Sequence, residues 1–374
     1  MIKVGTDFSG IGSPEAALKR LNIPHHNVFA CDIDKYARQS FLELNSPDLF
    51  YDDITTRDYK EVPQLDLYVA GFPCQSFSIA GQRKGFNETK GTLFFNVAEF
   101  IKINQPACFI LENVKGLLSH DNGKTYQTIT DVLTNGGGTL NGQMGMDTIE
   151  DGLGYHVYTK VLNTKDYGIP QNRERIFIVG FKYWRTFNFP MKLPLLNKLK
   201  DIIEKDVNVK YYLSQNIIEG FINHKQRHKE KGTGFMWQPK TGNDIANCLR
   251  ANAALCPTDN TIIETNNKRV NKNYKKHKTQ LENGDFMDSY NQTIHKDITP
   301  TITSRVQASN LSHIYNNKKI RRLTPLECWR LQGFTDEEFY KAQKVNSDTQ
   351  LYKQAGNSIT VNVMTAILKK IYLS

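Results

Sequence analysis

The sequence has six cysteines (Cys31, Cys74, Cys108, Cys248, Cys256 and Cys328) but no Cys-x-x-Cys pair and no cysteine–histidine spacing of the zinc type. Neither a disulfide framework nor a metal site is expected. No apolar run approaches the roughly 18–20 residues that a membrane helix needs. Met1-Ile2-Lys3-Val4 enters a strand-like segment at once, so no signal peptide is expected and the chain reads as intracellular. Acidic residues are in deficit, 38 against 48 lysines and arginines, for a formal charge of +10. That balance favours a polyanionic partner without identifying one. With 374 residues, 39% hydrophobic and 23% charged, the chain can bury a large core and is expected to form two lobes.

Residues 1 to about 181 alternate strand-like and helix-like patterns, the signature of an open α/β sheet. Strands are expected at Lys3–Phe8, Asn27–Cys31, Leu65–Ala70, Ala107–Leu111, Tyr155–Leu162 and Arg175–Phe181. Helices are expected at Pro14–Leu21, Lys35–Leu44, Leu93–Asn104 and Thr125–Leu133. Ser13 is the expected N-cap of the first, with Pro14 at the first helical position and Glu15 near the positive end of the dipole. The stretch 135–154, seven of whose residues are glycine, reads as a surface loop. From about 186 to 320 the chain turns polar, Asn-rich and basic after a helix around Ile217–His224. Lys268, Arg269 and Lys272 open an acid-free run that is either a solvated face or a phosphate contact. This lobe holds a faint echo, Asp244 to Leu249 against Asp297 to Ile302, and an apolar helix Val361–Tyr372 closes the chain.

Three features carry chemistry. Asp7-Phe8-Ser9-Gly10-Ile11-Gly12-Ser13 is a glycine-rich turn between a strand and a helix, where a ligand can approach the backbone. Asp32, about twenty residues on, suits ribose hydroxyls. Ala16 follows Glu15 where the dinucleotide fingerprint has its third glycine, which favours a nucleoside without a pyrophosphate over NAD. Cys74, in Gly71-Phe72-Pro73-Cys74-Gln75-Ser76, follows a strand on a Pro-Cys turn and reads either as a small buried hydrophobe or as a nucleophile. No histidine near it in sequence offers a general base. Glu112 ends the apolar strand Ala107–Leu111 and is either an acid whose pKa is raised by burial or a plain ion-pair partner. Arg173 and Arg175, two apart on a strand, face the same way and hold either a phosphate or base carbonyl, or Glu112 or Glu174.

Six blocks carry a resemblance: Asp7–Gly12, Gly71–Ser78, Glu112-Asn113-Val114, Gln171–Arg175, Arg322–Cys328 with Leu331–Phe334, and Gln354–Ser358. In this order they resemble the DNA (cytosine-5)-methyltransferases of bacterial restriction–modification systems. The resemblance implies an α/β, S-adenosylmethionine-dependent methyltransferase fold, a Rossmann-like open sheet with a second, smaller target-recognition domain. It implies a catalytic and cofactor-binding domain over 1–185, completed by 350–374, and a recognition domain and hinge over 186–349.

The same resemblance implies that Cys74 adds to C6 of a flipped cytosine and that Glu112 holds N3 and the exocyclic amine. Arg175 contacts the base carbonyl, and Arg173 supports it. S-adenosylmethionine is expected against Phe8, Ser9, Gly10, Ile11 and Gly12. Asp32 takes its ribose, Ile33, Asp53 and Ile54 its adenine, and Gly71, Pro73, Asn357 and Ser358 the rest of the pocket. Asp32 and Ile33 stand where the family more often has glutamate and tryptophan. Contacts to duplex DNA are expected from Gln75, Ser78, Lys268, Arg269, Lys272 and Thr301. Thr301-Ile302 fits the family's Thr-Leu pair, with Cys248-Leu249 as a second candidate. A monomer in the bacterial cytoplasm or nucleoid is implied, with a cognate restriction endonuclease acting separately. An RNA cytosine-5 methyltransferase and a catalytically inactive DNA-binding relative are the alternatives.

Overall fold

A computed structural model describes residues 1–73, 93–134, 152–230, 232, 237–251, 255–264, 286–288, 293–295 and 319–373. The strands of its main sheet are β1 (Ile2–Asp7), β2 (His25–Cys31), β3 (Leu49–Tyr51), β4 (Leu67–Ala70), β5 (Cys108–Val114) and β6 (His156–Asn163). The two-residue β7 (Gln171–Asn172) then leads into β8 (Glu174–Phe181). The order across the sheet is β3-β2-β1-β4-β5-β8-β6. The first five run parallel, and β8 lies antiparallel between β5 and β6. β4 is buried at every position and β5 at all but its last, as parallel strands covered on both faces should be.

The helices are α1 (Ser13–Arg20), α2 (Lys35–Leu44), α3 (Leu93–Asn104), α4 (Lys124–Leu133), α5 (Gln215–Glu230), α6 (Pro325–Leu331), α7 (Asp336–Gln343), α8 (Asp348–Asn357) and α9 (Val361–Tyr372). Three of them, α2, α3 and α9, span the residues read from the sequence. In α2 the Asp34 carboxylate caps the amides of Tyr36 and Ala37. The short edge strand β3 is not legible in the sequence.

The first helix departs from expectation. Gly12, at φ +83°, is its N-cap, and Ser13 is already helical. The Ser13 hydroxyl instead donates to the Ile359 carbonyl at 2.7 Å and lies 2.8 Å from the Ser358 hydroxyl. A side chain that sequence reading assigns to a local cap ties α1 to the C-terminal segment.

The chain divides into two compact units. One holds Met1–Asn197, Asn247–Ala253 and Pro325–Ser374; the other holds Lys198–Ala246 and Ala254–Thr324. The first therefore takes in 325–349, which the sequence reading gives to the second lobe. In the second unit, Ile218, Phe221 and Ile222 of α5 pack on Trp237 and Ile320. The Trp237 indole donates to the Thr261 hydroxyl at 3.1 Å. There β9 (Thr261–Glu264) pairs antiparallel with a strand at Lys319–Arg322.

Candidate active site

β1 delivers Asp7 to the carboxyl edge of the sheet, where the chain turns through Phe8 (φ +53°), Gly10 (φ +54°) and Gly12 (φ +83°). A left-handed phenylalanine is strained by about 1 kcal/mol or more, so neighbours must hold it. The Ser9 amide donates to the Cys31 carbonyl at 3.0 Å, and the Gly10 amide to Asp32 Oδ2 at 2.8 Å. Asp32 Oδ1 accepts from the Asp34 amide at 2.8 Å. Burial raises the Asp32 carboxyl pKa, against those two amide bonds. Gly12 admits no side chain, since a Cβ would lie 2.4 Å from Asn45 Nδ2.

Beneath this turn sits a buried polar layer. Arg57 donates to both oxygens of Asp7, at 2.8 and 2.7 Å, and the Tyr68 hydroxyl adds a third bond at 2.7 Å. The Arg57 guanidinium lies 4.2 Å from the Phe29 ring centroid and 4.7 Å from that of Phe100. Glu15 accepts from the Thr6 hydroxyl at 3.1 Å, while its Oε2 has no partner. Burial pushes its carboxyl up to about 7.

Glu112, near the end of β5, faces the same cleft. Its register neighbours on β8 explain what it meets. Val114 pairs with Arg175, and Val114 and Glu112 lie on one face of β5, so Arg175 reaches Glu112 diagonally across the strands. Arg175 Nε lies 3.2 Å from Glu112 Oε1. Burial raises the Glu112 pKa, and the positive charges of Arg175 and then Arg173 oppose it. Next along β5, the Asn113 amide donates to the Phe72 carbonyl at 2.9 Å. That bond anchors the chain one residue before Pro73, the last described residue ahead of Cys74.

A cleft opens along this edge, lined among others by Phe8, Ser9, Gly10, Ile11, Gly71, Glu112, Asn357 and Ser358. These eight are brought together as the sequence reading grouped them. Asp32 reaches the same turn through Gly10, and Ile33 is 77% exposed beside it. Gly12, Ile33, Asp53, Ile54 and Pro73 are not among the lining residues. Asp53 caps a local turn, accepting from the Thr55 amide and hydroxyl at 2.8 Å each.

Arg173 does different work from Arg175. It is buried, and its guanidinium donates to the carbonyls of Leu249 (3.3 Å), Gly356 (3.1 Å) and Ser358 (2.8 Å) and to Cys248 Sγ (3.3 Å). It fastens two distant segments to the Gln171–Arg175 stretch and does not line the cleft. Gln171 helps, with Oε1 accepting from the Leu249 amide at 3.0 Å and Nε2 donating to the Leu331 carbonyl at 2.7 Å. Asp7, Arg57, Tyr68 and Asn113 escape a sequence reading of the site, and Cys248 enters it only within the second candidate for the Thr-Leu pair. Only Asp7 and Asn113 lie within recognisable blocks. Cys74, Gln75, Ser78, Lys268, Arg269, Lys272 and Thr301 lie outside the described residues.

A turn rich in positive φ, a cleft along the carboxyl edge and an acid–arginine pair suit many ligand-binding α/β enzymes, and the comparisons with known proteins decide among them. The family model for the C-5 cytosine-specific DNA methylase matches residues 3–141 and 145–373. The chain belongs to this family. Among curated relatives, the type II methyltransferase M.HpaII of Haemophilus parainfluenzae is 37% identical over 371 residues, covering 97% of this chain and 87% of its own. The type II methyltransferase M.SsoII of Shigella sonnei is 34% identical, covering 97% of this chain and 78% of its own.

The methylase fold also appears in solved structures of low sequence identity. The S. pombe Dnmt2 methyltransferase has a TM-score of 0.64 at 16% identity, covering 99% of this chain and 97% of that one. The Entamoeba histolytica methyltransferase EhMeth has a TM-score of 0.62 at 15% identity, covering 100% and 98%. The protein is a DNA (cytosine-5)-methyltransferase with a Rossmann-like open sheet. Among the described residues this methylase has no cluster of three or more metal-ligating side chains and no helix long and apolar enough to cross a membrane.

Proposed function

We propose that this methylase acts on one cytosine of a short duplex DNA sequence, flipped from the stack, and methylates its C5 through a covalent Cys74–C6 adduct. The observation that carries the reading is the position of Glu112. It lines the cleft that begins at the Phe8–Ile11 turn and it pairs with Arg175. One carboxylate thus borders both the cleft at the glycine turn and a cationic group suited to a base carbonyl.

Carbon 5 of cytosine is a weak nucleophile. Attack of the Cys74 thiolate on C6 forms the S–C6 bond and moves the ring's electron pair toward C5, N3 and O2. Glu112, whose carboxyl pKa is raised by burial, donates to N3 and takes up that charge. Arg175 steadies O2 from the other side. After C5 has gained the methyl group, its proton leaves to a base, the electron pair re-forms the C5–C6 double bond, and the thiolate departs.

The residues present fit S-adenosylmethionine, which when bound supplies an electrophilic methyl group. Ser9 Oγ is buried without a partner at the turn, and a side chain on Gly71 would project to 3.6 Å from Glu112 Oε2, into the cleft. Asp32 keeps lone pairs for ribose hydroxyls. Flipping is required because a stacked base cannot enter such a cleft. The 186–349 region, with Lys268, Arg269, Lys272 and Thr301, is proposed to read the duplex in its major groove, with Gln75 and Ser78 contacting the DNA near the thiol. By analogy with its type II relatives, the protein would protect host DNA in the cytoplasm against a separate endonuclease.

The test is a duplex carrying 5-fluorocytosine at the target found by bisulfite sequencing of DNA from expressing cells. Fluorine cannot leave as a cation, so the adduct should persist through denaturing electrophoresis for the native protein and vanish for Cys74→Ser. Methyl transfer to tRNA but not to duplex DNA would overturn the assignment of substrate.

A further inference from the structure

Cys248 is a thiol with no part in the reaction above, yet it sits between the two arginines that flank the site. Its sulfur accepts from Arg173 Nη1 at 3.3 Å and from Arg175 Nη2 at 3.7 Å, while its S–H donates to the Leu249 carbonyl at 3.5 Å. The other nitrogens of Arg175 are engaged on the strands themselves: Nη1 with the Glu174 carbonyl at 2.8 Å and Nε beside Glu112 at 3.2 Å. Among the described residues, Cys248 is therefore the contact to Arg175 from outside the β5–β8 ladder. It is itself pinned, because Arg173 binds both its sulfur and the next carbonyl, and Gln171 binds the Leu249 amide.

We propose that Cys248 is a positioning residue for methyl transfer: its sulfur fixes the plane of the Arg175 guanidinium so that Nε stays on Glu112 and the base site keeps its shape. This rests on the reading of Glu112 and Arg175 as the base-holding pair. A guanidinium on a long side chain has many rotamers, and because the group is planar and rigid the contact at Nη2 adds a third point that holds the same plane as those at Nη1 and Nε. Misplacement of a catalytic group by about 1 Å can cost on the order of 100-fold in rate. Sulfur is a weak acceptor, so its contribution here is as a large, polarisable stop against two cations rather than as a strong hydrogen bond.

The experiment compares Cys248→Ala, Cys248→Ser, Arg175→Ala and the Arg175→Ala/Cys248→Ala double variant in single-turnover methylation of duplex DNA. Cofactor affinity and melting temperature are measured for each. Cys248→Ala should fall about 10- to 100-fold in rate with cofactor affinity within about twofold of native. Cys248→Ser, which keeps a polar stop, should recover most of the rate. The double variant should be no slower than Arg175→Ala, since a residue that acts through Arg175 has nothing left to position. A native rate for Cys248→Ala, a rate loss matched by lost cofactor affinity, or additive losses in the double variant would each overturn the proposal. A native rate for Arg175→Ala would instead remove the base-site reading on which it stands.

Discussion

Glu112 Oε1 lies 3.2 Å from Arg175 Nε, near enough for an ion pair but without the alignment of a hydrogen bond, so among the described residues this buried oxygen has no hydrogen-bonding partner. An unsatisfied buried acceptor costs about 1–3 kcal/mol. A ligand donor placed there would recover that energy, which supports the base-holding role proposed for Glu112. Glu112→Gln keeps the shape but loses both the charge and the transferable proton. Its single-turnover methylation rate should fall by about 10²–10⁴-fold with DNA and cofactor saturating. A rate within threefold of native would show that Glu112 only fills space.

Asp32 holds the Phe8–Gly12 turn through the Gly10 amide and accepts a second bond from the Asp34 amide, each 2.8 Å long. Asp32→Ala removes both together with the acceptor proposed for ribose. Calorimetry with S-adenosylmethionine should show affinity weakened by about 10- to 100-fold, the equivalent of one or two charge-assisted hydrogen bonds. Unchanged affinity would place the ribose elsewhere.

Arg57 is the counter-ion of a buried Asp7, packed among aromatic rings. Truncation to alanine leaves a carboxylate without a cation in the core. Urea denaturation should register a loss of about 3–5 kcal/mol for Arg57→Ala. A loss below about 1 kcal/mol would mean that the Tyr68 hydroxyl alone suffices for Asp7.

Glu15 makes folding depend on pH. Its carboxyl is raised from 4.5 to about 7, so the folded state binds its proton more tightly than the unfolded chain does. The stabilisation is complete below pH 4.5 and disappears as pH rises to about 7, a change of about 3 kcal/mol from this group. Glu15→Gln should therefore gain stability relative to native as pH increases across that interval. Parallel stability curves for the two proteins would contradict the assignment.

The alternation of strands and helices in the first half, the glycine turn and the Glu112–Val114 block are all legible in the chain, because each follows from local periodicity or turn chemistry. Helices α2, α3 and α9 follow from their spacing of apolar residues and, in α2, from the Asp34 cap. Ser13 shows where local reasoning fails. Its residue type and position fit an N-cap, yet a neighbour some 345 positions away competes for the hydroxyl and prevails. β3, three residues long, offers too little periodicity to be read.

By itself the sequence determined the reaction class. The Cys74 turn, Glu112, the arginine pair and the glycine turn occur as contiguous blocks, and their order carries the resemblance to the cytosine-5 methylases. What each arginine does was decided only by the tertiary structure. Arg173 and Arg175 are equivalent in the sequence, two apart on one face. One is buried against carbonyls of Leu249, Gly356 and Ser358, and the other is directed at Glu112. Those partners come from segments far apart in the chain, and only the register of β5 against β8, with the return of the C-terminus to the sheet edge, brings them within reach. Spacing along a strand sets the face a side chain points from; what stands opposite that face depends on the fold.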